Sequence, residues 1–299
     1  LSGSSLDAFW FNTGAIPQSF AFDPRILYDS DSGRWFAVAV DDKDVQNNIL
    51  LAVSDTSDPT GNWQGLSIVG DTAGTRWADF PTLGVDADGV YIGANMFDNT
   101  GGPVLTTDVS LFSIPKADLL QATPSAANLS RFENLNESTG LGYGFTIQPA
   151  VDMSGNAGGT AHLLGTTGGS DLVYMTITNS STAGATLSNP VTIPLAAMAP
   201  PTADQPGTAQ NLSAGDLRIS GNVMLVDGSL WGVRTVDEGG RAALQWFEVD
   251  PQTQTILQTD TIADTGMSLF YPSIAVNDDG DAVIGFSGSG ANTFAGTYF

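Results

Sequence analysis

The stretch FDPRILYDSDSGRWFAVAV, Phe22 to Val40, decides the fold. Arg25 to Tyr28 reads as a strand opened by Pro24, and Trp35 to Val40 reads as a second strand. Between them lies Asp29-Ser30-Asp31-Ser32-Gly33, where aspartate and serine make local backbone bonds and glycine supplies positive φ. The unit is a hairpin, and it recurs. PTLGVDADGVYIGANMF from Pro81, PAVDMSGNAGGTAHLLG from Pro149, RISGNVMLVDGSLWGVRTV from Arg218 and PSIAVNDDGDAVIGFSG from Pro272 repeat the pattern of apolar strand, Asp/Gly turn and apolar strand. Four of the five open with proline, which a sheet tolerates at a first strand position.

Two further strands follow most hairpins: Ile49 to Ser54 and Trp63 to Val69, then Val109 to Ile114 and Ser130 to Leu135. Leu172 to Thr178 and Val191 to Leu195 follow the third, and Ala243 to Val249 with Thr255 to Ile262 the fourth. Lys116 to Leu120 is a short helical piece. Four strands per repeat is the size of a propeller blade. The fifth hairpin is followed by only Thr293 to Phe299, one strand short, and the unused apolar run is Ala8-Phe9-Trp10-Phe11. The expectation is an all-β chain forming one five-bladed β-propeller, closed by that N-terminal strand so that no edge stays open. Its blades fall at 22–70, 78–136, 145–196, 217–263, and 270–299 plus 6–12. A six-bladed ring is the alternative.

The net charge is −23, although only 14% of residues are charged. The excess comes from missing cations: Lys43 and Lys116 are the only lysines. The acid is nearly all aspartate, a residue of turns and cation loops. Such a surface repels nucleic acid and anionic lipid. No apolar run is long enough to span a membrane as a helix. The chain has no cysteine, which excludes disulfides and thiolate chemistry. These features suit a secreted or cell-surface protein.

In a propeller the residues just before each first strand converge on the channel mouth. They are Asp23, Asp79 with Phe80, Gln148, Arg218 and Tyr271, and the long segment Ala196 to Asp216 crosses the same face. Asp23 and Asp79 are therefore the candidate catalytic carboxylates, and Trp77, Phe80, Gln148, Arg218 and Tyr271 the candidate ligand-binding residues. The same aspartates also suit loop capping near a channel. Three hairpin turns resemble D-x-D-x-G ion loops: Asp29 with Asp31, Asp86 with Asp88, and Asn277 with Asp279 and Asp281. Calcium is the cation such loops would take. Asp-Gly and Asn-Gly are equally the preferred hairpin turns. His162 is the only histidine and sits mid-strand, without the partners a zinc site or serine triad needs.

The Asp23-Pro24 opening, the run Leu51-Ala52-Val53-Ser54 and the following Asp58-Pro59-Thr60-Gly61-Asn62-Trp63 resemble the five-bladed propeller glycosidases, family 43 above all. The resemblance implies a general-base role for Asp23 and a pKa-tuning role for Asp79. The glutamate acid it also implies has no counterpart at Gln148-Pro149; Glu133 and Glu238 could serve only by folding inward. Ser54 to Trp63 is also similar to the Asp-box of sialidase-type repeats. That likeness implies a carboxylate held by arginines, with Arg25, Arg76, Arg218 and Tyr271 to supply the site. WADFPTLGVDADGVYIGANMF and YPSIAVNDDGDAVIGFSGSG look like secreted bacterial propellers, which implies export. The expected function is a non-catalytic extracellular propeller that binds carbohydrate or another surface protein. A glycoside hydrolase or sialidase-like enzyme is one alternative, and a self-associating subunit of a surface layer is the other.

Overall fold

The computed structural model describes residues 3–99, 108–156, 159–167 and 170–299. Two residues of the third hairpin's turn, 157 and 158, lie outside them. The chain is mostly β and falls into five antiparallel groups of strands in chain order. The first is β1 (Ala21–Asp29), β2 (Arg34–Asp41), β3 (Asn48–Ser54) and β4 (Trp63–Val69). The second is β5 (Arg76–Val85), β6 (Gly89–Asp98), β7 (Asp108–Pro115) and β8 (Ser130–Phe132). The third is β9 (Phe145–Asp152), β10 (Ala161–Thr166) and β11 (Leu172–Thr178), with short β12 (Thr186–Leu187) and β13 (Val191–Ile193) both on β11. The fourth is β14 (Val223–Val226), β15 (Ser229–Glu238), β16 (Arg241–Asp250) and β17 (Thr255–Ile262). Strands β9 and β14 pair in parallel, which joins the third and fourth groups into one sheet. The fifth is β18 (Ser268–Val276), β19 (Ala282–Gly290) and β20 (Thr293–Tyr298).

Alternation along each strand puts one apolar set on each face. Val38 and Leu51 of the first group pack on Leu83 and Ile92 of the second. Leu111 of the second meets Ile147 and Leu163 of the third, and Leu164 of the third meets Val223 and Phe247 of the fourth. Trp231 and Leu244 of the fourth pack on Leu269 and Ile274 of the fifth. Each group thus shares a core with the next.

The first strands carry a repeated irregularity. Register slips at Phe22/Arg25, Asp79/Thr82 and Phe270/Ser273, and in β9 across Phe145 and Gln148. Each slip is a bulge of two residues opposite one. Its first residue has positive φ: Asp23 at 51°, Phe80 at 50°, Thr146 at 49° and Tyr271 at 52°. These four positions are therefore equivalent. The third repeat opens at Thr146-Ile147, two residues earlier than the Gln148-Pro149 expected from the sequence. Asp79 is equivalent to Phe22, not to Asp23.

Two residues past the first three positive-φ sites, and from Ser220 ahead of β14 in the fourth group, a side chain reaches the next group. Arg25 Nε donates to the Pro81 carbonyl at 3.3 Å, and Thr82 Oγ1 donates to the Ile147 carbonyl at 2.6 Å. Gln148 Nε2 donates to the Ile219 carbonyl at 2.7 Å, and Ser220 Oγ donates to the Pro272 carbonyl at 3.2 Å. The acceptor is always the second residue of the next repeat's opening. Side chains thus tie the inner strands where bulges interrupt the backbone ladder.

The N-terminal run departs from expectation. Phe9 to Phe11 lie in helix α1 (Leu6–Thr13) and do not extend the fifth group. Ser5 caps the helix by accepting from the Ala8 amide, and Gly14, at φ 91°, closes it by donating to the Phe11 carbonyl. Leu6, Phe9, Trp10 and Thr13 recur at helical spacing. Trp10 packs on Ala37, Ala39, Leu50 and Ala52, the face of the first group turned away from the second. A Cβ on Gly65 of β4 would sit 2.4 Å from Thr13 Oγ1, so only glycine lets the helix end lie so close. Two more short helices, α2 (Lys116–Leu119) and α3 (Leu135–Thr139), follow β7 and β8. Among the described residues no helix is long and apolar enough to cross a membrane.

The hairpin turns of the first three groups meet on one side. Lys116 Nζ lies 3.0 Å from both the Asp29 and the Asp31 carboxylates. The ammonium thus stands between the two side chains expected to hold calcium. Asp86 accepts from the Asp88 and Gly89 amides and from the Tyr91 hydroxyl, and the Gly159 amide donates to Asp88. Asn277 accepts from the Asp279 and Asp281 amides. Among the described residues no three carboxylate or imidazole side chains gather as a metal site.

Two predictions follow from these ties. Gln148→Leu strands the buried Ile219 carbonyl and is expected to cost about 1–3 kcal/mol in urea unfolding; an unchanged midpoint would show that the strut carries no stability. Asp29 is fully buried and the Lys116 side chain only 4% exposed. Lys116→Met leaves a buried carboxylate without its cation and should cost about 3–5 kcal/mol.

Candidate functional site

The bulges bring two of their first residues, Phe80 and Tyr271, to one place. A cavity of about 670 Å³ opens where the inner strands converge. Arg25 of β1, Phe80 of β5, Arg218 ahead of β14, Thr235 of β15 and Tyr271 of β18 all line it. The turn Ser213 to Asp216 forms another wall, so the long connection between β13 and β14 does pass over this face. Gly215, at φ 85°, lies against the Tyr271 ring: a Cβ there would be 3.0 Å from its edge.

Two cations meet here. The guanidinium carbons of Arg25 and Arg218 each lie 4.7 Å from the Phe80 ring centre, and Arg218 lies 4.7 Å from that of Phe145 as well. An aromatic face beside a guanidinium attracts it through the ring quadrupole. Arg25 spends Nε on Pro81 and donates Nη1 to the Ser220 carbonyl at 2.9 Å. Arg218 gives Nε and Nη2 to the two Asp216 oxygens, both at 2.8 Å, a two-pronged clamp. Burial lowers the pKa of Arg25, Asp23 acts against that, and Arg218 lowers it further by like charge. Burial pushes the Asp216 carboxyl up, yet its bonds and charge contact with Arg218 hold it below the ordinary range. Arg25 Nη2 and Arg218 Nη1 keep N–H groups that no described residue takes up.

The remaining lining is hydroxyl and aromatic. Ser213, Ser220, Thr235 and Ser273 border the space, and Tyr271 is 48% exposed. The Tyr271 amide donates to Thr235 Oγ1 at 3.1 Å, which holds its bulge in place.

The structure sorts the residues picked from sequence. Phe80, Arg218 and Tyr271 line the cavity; Asp23, Asp79, Trp77 and Gln148 do not. Asp23 is exposed beside it. Asp79 is half-buried, and burial first and Asp23 second raise its pKa, against the Phe80 amide and the Arg218 charge. The two carboxylates are therefore electrostatic neighbours behind Phe80. Gln148 is buried and serves as a strut, because its place in the bulge is that of Arg25 rather than Asp23. Trp77 packs on Phe97 with ring centres 5.2 Å apart. Arg76 is remote from the cavity, buried among Asp98, Asp108 and Glu137. Glu133 accepts from the Thr72 amide and hydroxyl, and Glu238 ends β15; neither lines the cavity. His162 Nδ1 lies 2.7 Å from the Tyr174 hydroxyl, and burial lowers its pKa.

Thr235, mid-strand in the second strand of its hairpin, carries no mark in the sequence, and Ser213 to Gly215 are placed on this face only as part of the long segment Ala196 to Asp216. The Asp216-x-Arg218 spacing was the one readable sign of the clamp.

No family model matches the chain, and no curated protein matches it. Among solved structures it is similar to the polysaccharide lyase Uly1, at 12% identity and a TM-score of 0.49, over 93% of this chain and 57% of that one. It is similar to the sialidase of Trypanosoma rangeli at 12% identity and a TM-score of 0.46, over 91% of this chain and 44% of the other. The chain thus spans about half the length of these two proteins. An endo-arabinase of Bacteroides thetaiotaomicron matches at 13% identity and a TM-score of 0.44, over 93% and 94% of the two chains.

Proposed function

We propose that the chain is a five-bladed β-propeller that acts outside the cell as a carbohydrate-binding module. Its ligand is a saccharide bearing a carboxylate, held at the mouth of the inner strands. The carrying observation is the placement of Arg25 and Arg218 on one cavity that also presents Tyr271 and four hydroxyls. The whole chain holds only nine lysines and arginines against 32 acids. Two of the nine face this one space, and both keep N–H groups to spare. Guanidinium N–H groups suit a carboxylate, and hydroxyls with an exposed aromatic ring suit a sugar. Binding without hydrolysis is supported by the carboxylates: Asp216, the acid that lines the cavity, is clamped by Arg218.

One observation favours a second reading, a glycoside hydrolase. Asp79 is pushed toward its protonated form beside the exposed Asp23, and an acid with its partner base is what glycoside cleavage requires.

Calorimetry with galacturonate and glucuronate oligomers tests the first reading. Arg218→Met and Tyr271→Ala are each expected to weaken binding about tenfold or more, since a hydrogen bond to a charged group contributes roughly 1.5–3 kcal/mol. Carboxyl-reduced oligomers should bind as weakly as the variants do. Uronate binding that ignores both substitutions would overturn the assignment. Asp79 supplies a separate check. A carboxyl with a raised folded pKa holds its proton longer in the native state, so stability falls as pH rises from the ordinary carboxylate value of about 4 toward the raised one. Asp79→Asn should remove that decline in pH-dependent urea unfolding. Loss of turnover on the same oligomers in this variant, with binding kept, would favour the hydrolase instead.

A further inference from the structure

The Asp-box-like segment Ser54 to Trp63 takes no part in the mouth, yet it borders a second and larger cavity. This space of about 830 Å³ lies between α1 and the β3–β4 connection. Phe9 and Asn12 come from the helix; Asp55, Asn62, Trp63 and Gln64 come from the connection and β4. We propose that this groove is a separate binding site for a neutral oligosaccharide. The inference goes beyond the mouth site and stands on different residues.

Three observations carry it. First, the groove pairs aromatic surface with unspent amides. Trp63 and Phe9 meet edge to face with ring centres 5.3 Å apart. The Trp63 Nε1 proton already goes to the Pro59 carbonyl at 2.9 Å, so the partly exposed ring offers π surface and asks for no polar partner. The C–H face of a sugar ring packs on such surface. The exposed Asn12 and Asn62 side chains make no hydrogen bond to any described residue, and an amide's adjacent donor and acceptor match neighbouring sugar hydroxyls. Gln64 is half engaged, donating to Asp55 at 2.8 Å and keeping its carbonyl oxygen free.

Second, the walls are fixed before any ligand arrives. The connection is closed by the Asp55 amide on the Asn62 carbonyl and by Thr60 on Asp58. Trp35 Nε1 anchors it from β2 through the Ser57 carbonyl. On the other wall α1 is capped at both ends and seated on Gly65. Preorganised walls spare a ligand the cost of ordering them.

Third, charge selects the ligand. Among the described residues Asp55 is the one charged side chain lining the groove, and no cation lines it. On a chain of net charge −23 a carboxylated or sulfated sugar is repelled there. The mouth, with two arginines, has the opposite preference.

The test uses the full chain and three probes: cellohexaose, xylohexaose and mannohexaose. The six tryptophans give six indole N–H signals in a nitrogen-correlated NMR spectrum, and Trp63→Phe identifies that of Trp63. At least one hexasaccharide should shift the Trp63 signal in a saturable way. The double variant Asn12→Ala/Asn62→Ala, altered only at exposed amides, should weaken that probe about tenfold. Arg218→Met should leave it unchanged. The proposal is overturned if none of the three moves the Trp63 signal at about 10 mM, or if the double variant binds as the wild type does. A shift abolished by Arg218→Met would overturn it too, by assigning the binding to the mouth.

Discussion

A side-chain hydrogen bond to the next repeat's backbone, made four times, is what the rest of the molecule leans on. Arg25, Thr82, Gln148 and Ser220 each donate to a carbonyl one group further along. In three of the four the acceptor is the second residue of a bulge, Pro81, Ile147 or Pro272; Ile219 lies ahead of β14. Where two residues oppose one, the ladder opens, and a buried carbonyl without a donor costs about 1–3 kcal/mol. The struts supply that donor from the neighbouring group, so the defect in one group becomes its tie to another. The same bulges hold Asp23, Phe80, Thr146 and Tyr271 at positive φ. Non-glycine residues persist there only when their surroundings over-determine them. The cavity is lined by residues of this strained set, Phe80 and Tyr271, together with the strut Arg25. Stability and site therefore draw on one device.

Much of this was legible in the sequence, and the failures have physical causes. The hairpins were readable because Asp/Gly turns and alternating apolar residues leave little choice. Strands β11 and β17 fall on the residues expected, Leu172 to Thr178 and Thr255 to Ile262. The phase of the repeat was not readable from proline alone. In β1, β5 and β18 proline fills the second bulge position, but in β9 that place is Ile147 and Pro149 comes two residues later. Aligning on Pro149 cast the strut Gln148 as a mouth residue. Helix α1 was misread as a strand because Ala8-Phe9-Trp10-Phe11 is uniformly apolar, and a short apolar run does not declare its period. The signals that settle it lie outside the run: Ser5 before it and Gly14 after it.

The aspartates show a different limit. Asp29 and Asp31 have the spacing of a cation loop, and a cation does lie between them, but it belongs to the chain. Lys116 arrives from α2, 87 residues beyond Asp29. No local pattern announces a partner so far away. A buried ion pair adds little net stability over apolar packing. Its use here is geometric, since it seats the turn of the first group against the helix that follows β7.

Placement of the few cations is the last step. In a chain with nine of them, position says more than number. Arg234 is wholly buried, its pKa lowered to about 10 by burial, and it donates to Gln245 and to the Leu195 carbonyl at the start of the long connection. Arg76 and Lys116 are buried among carboxylates. Those three are consumed by structure. Arg25 and Arg218 are only partly consumed, and they stand 4.7 Å from the same aromatic ring, where the charge of Arg218 adds to burial in raising the cost of that of Arg25. Like charges held together on an acidic protein are unfavourable unless an anion relieves them; Asp216 clamps Arg218, while Asp23 opposes the shift of Arg25 by charge alone. An incoming carboxylate would complete that balance. The groove beside α1 contains no such pair of like charges: Asp55 lines it together with amides and aromatic faces. The two cavities therefore differ in kind: one gathers two guanidinium groups, the other neutral amides and aromatic rings.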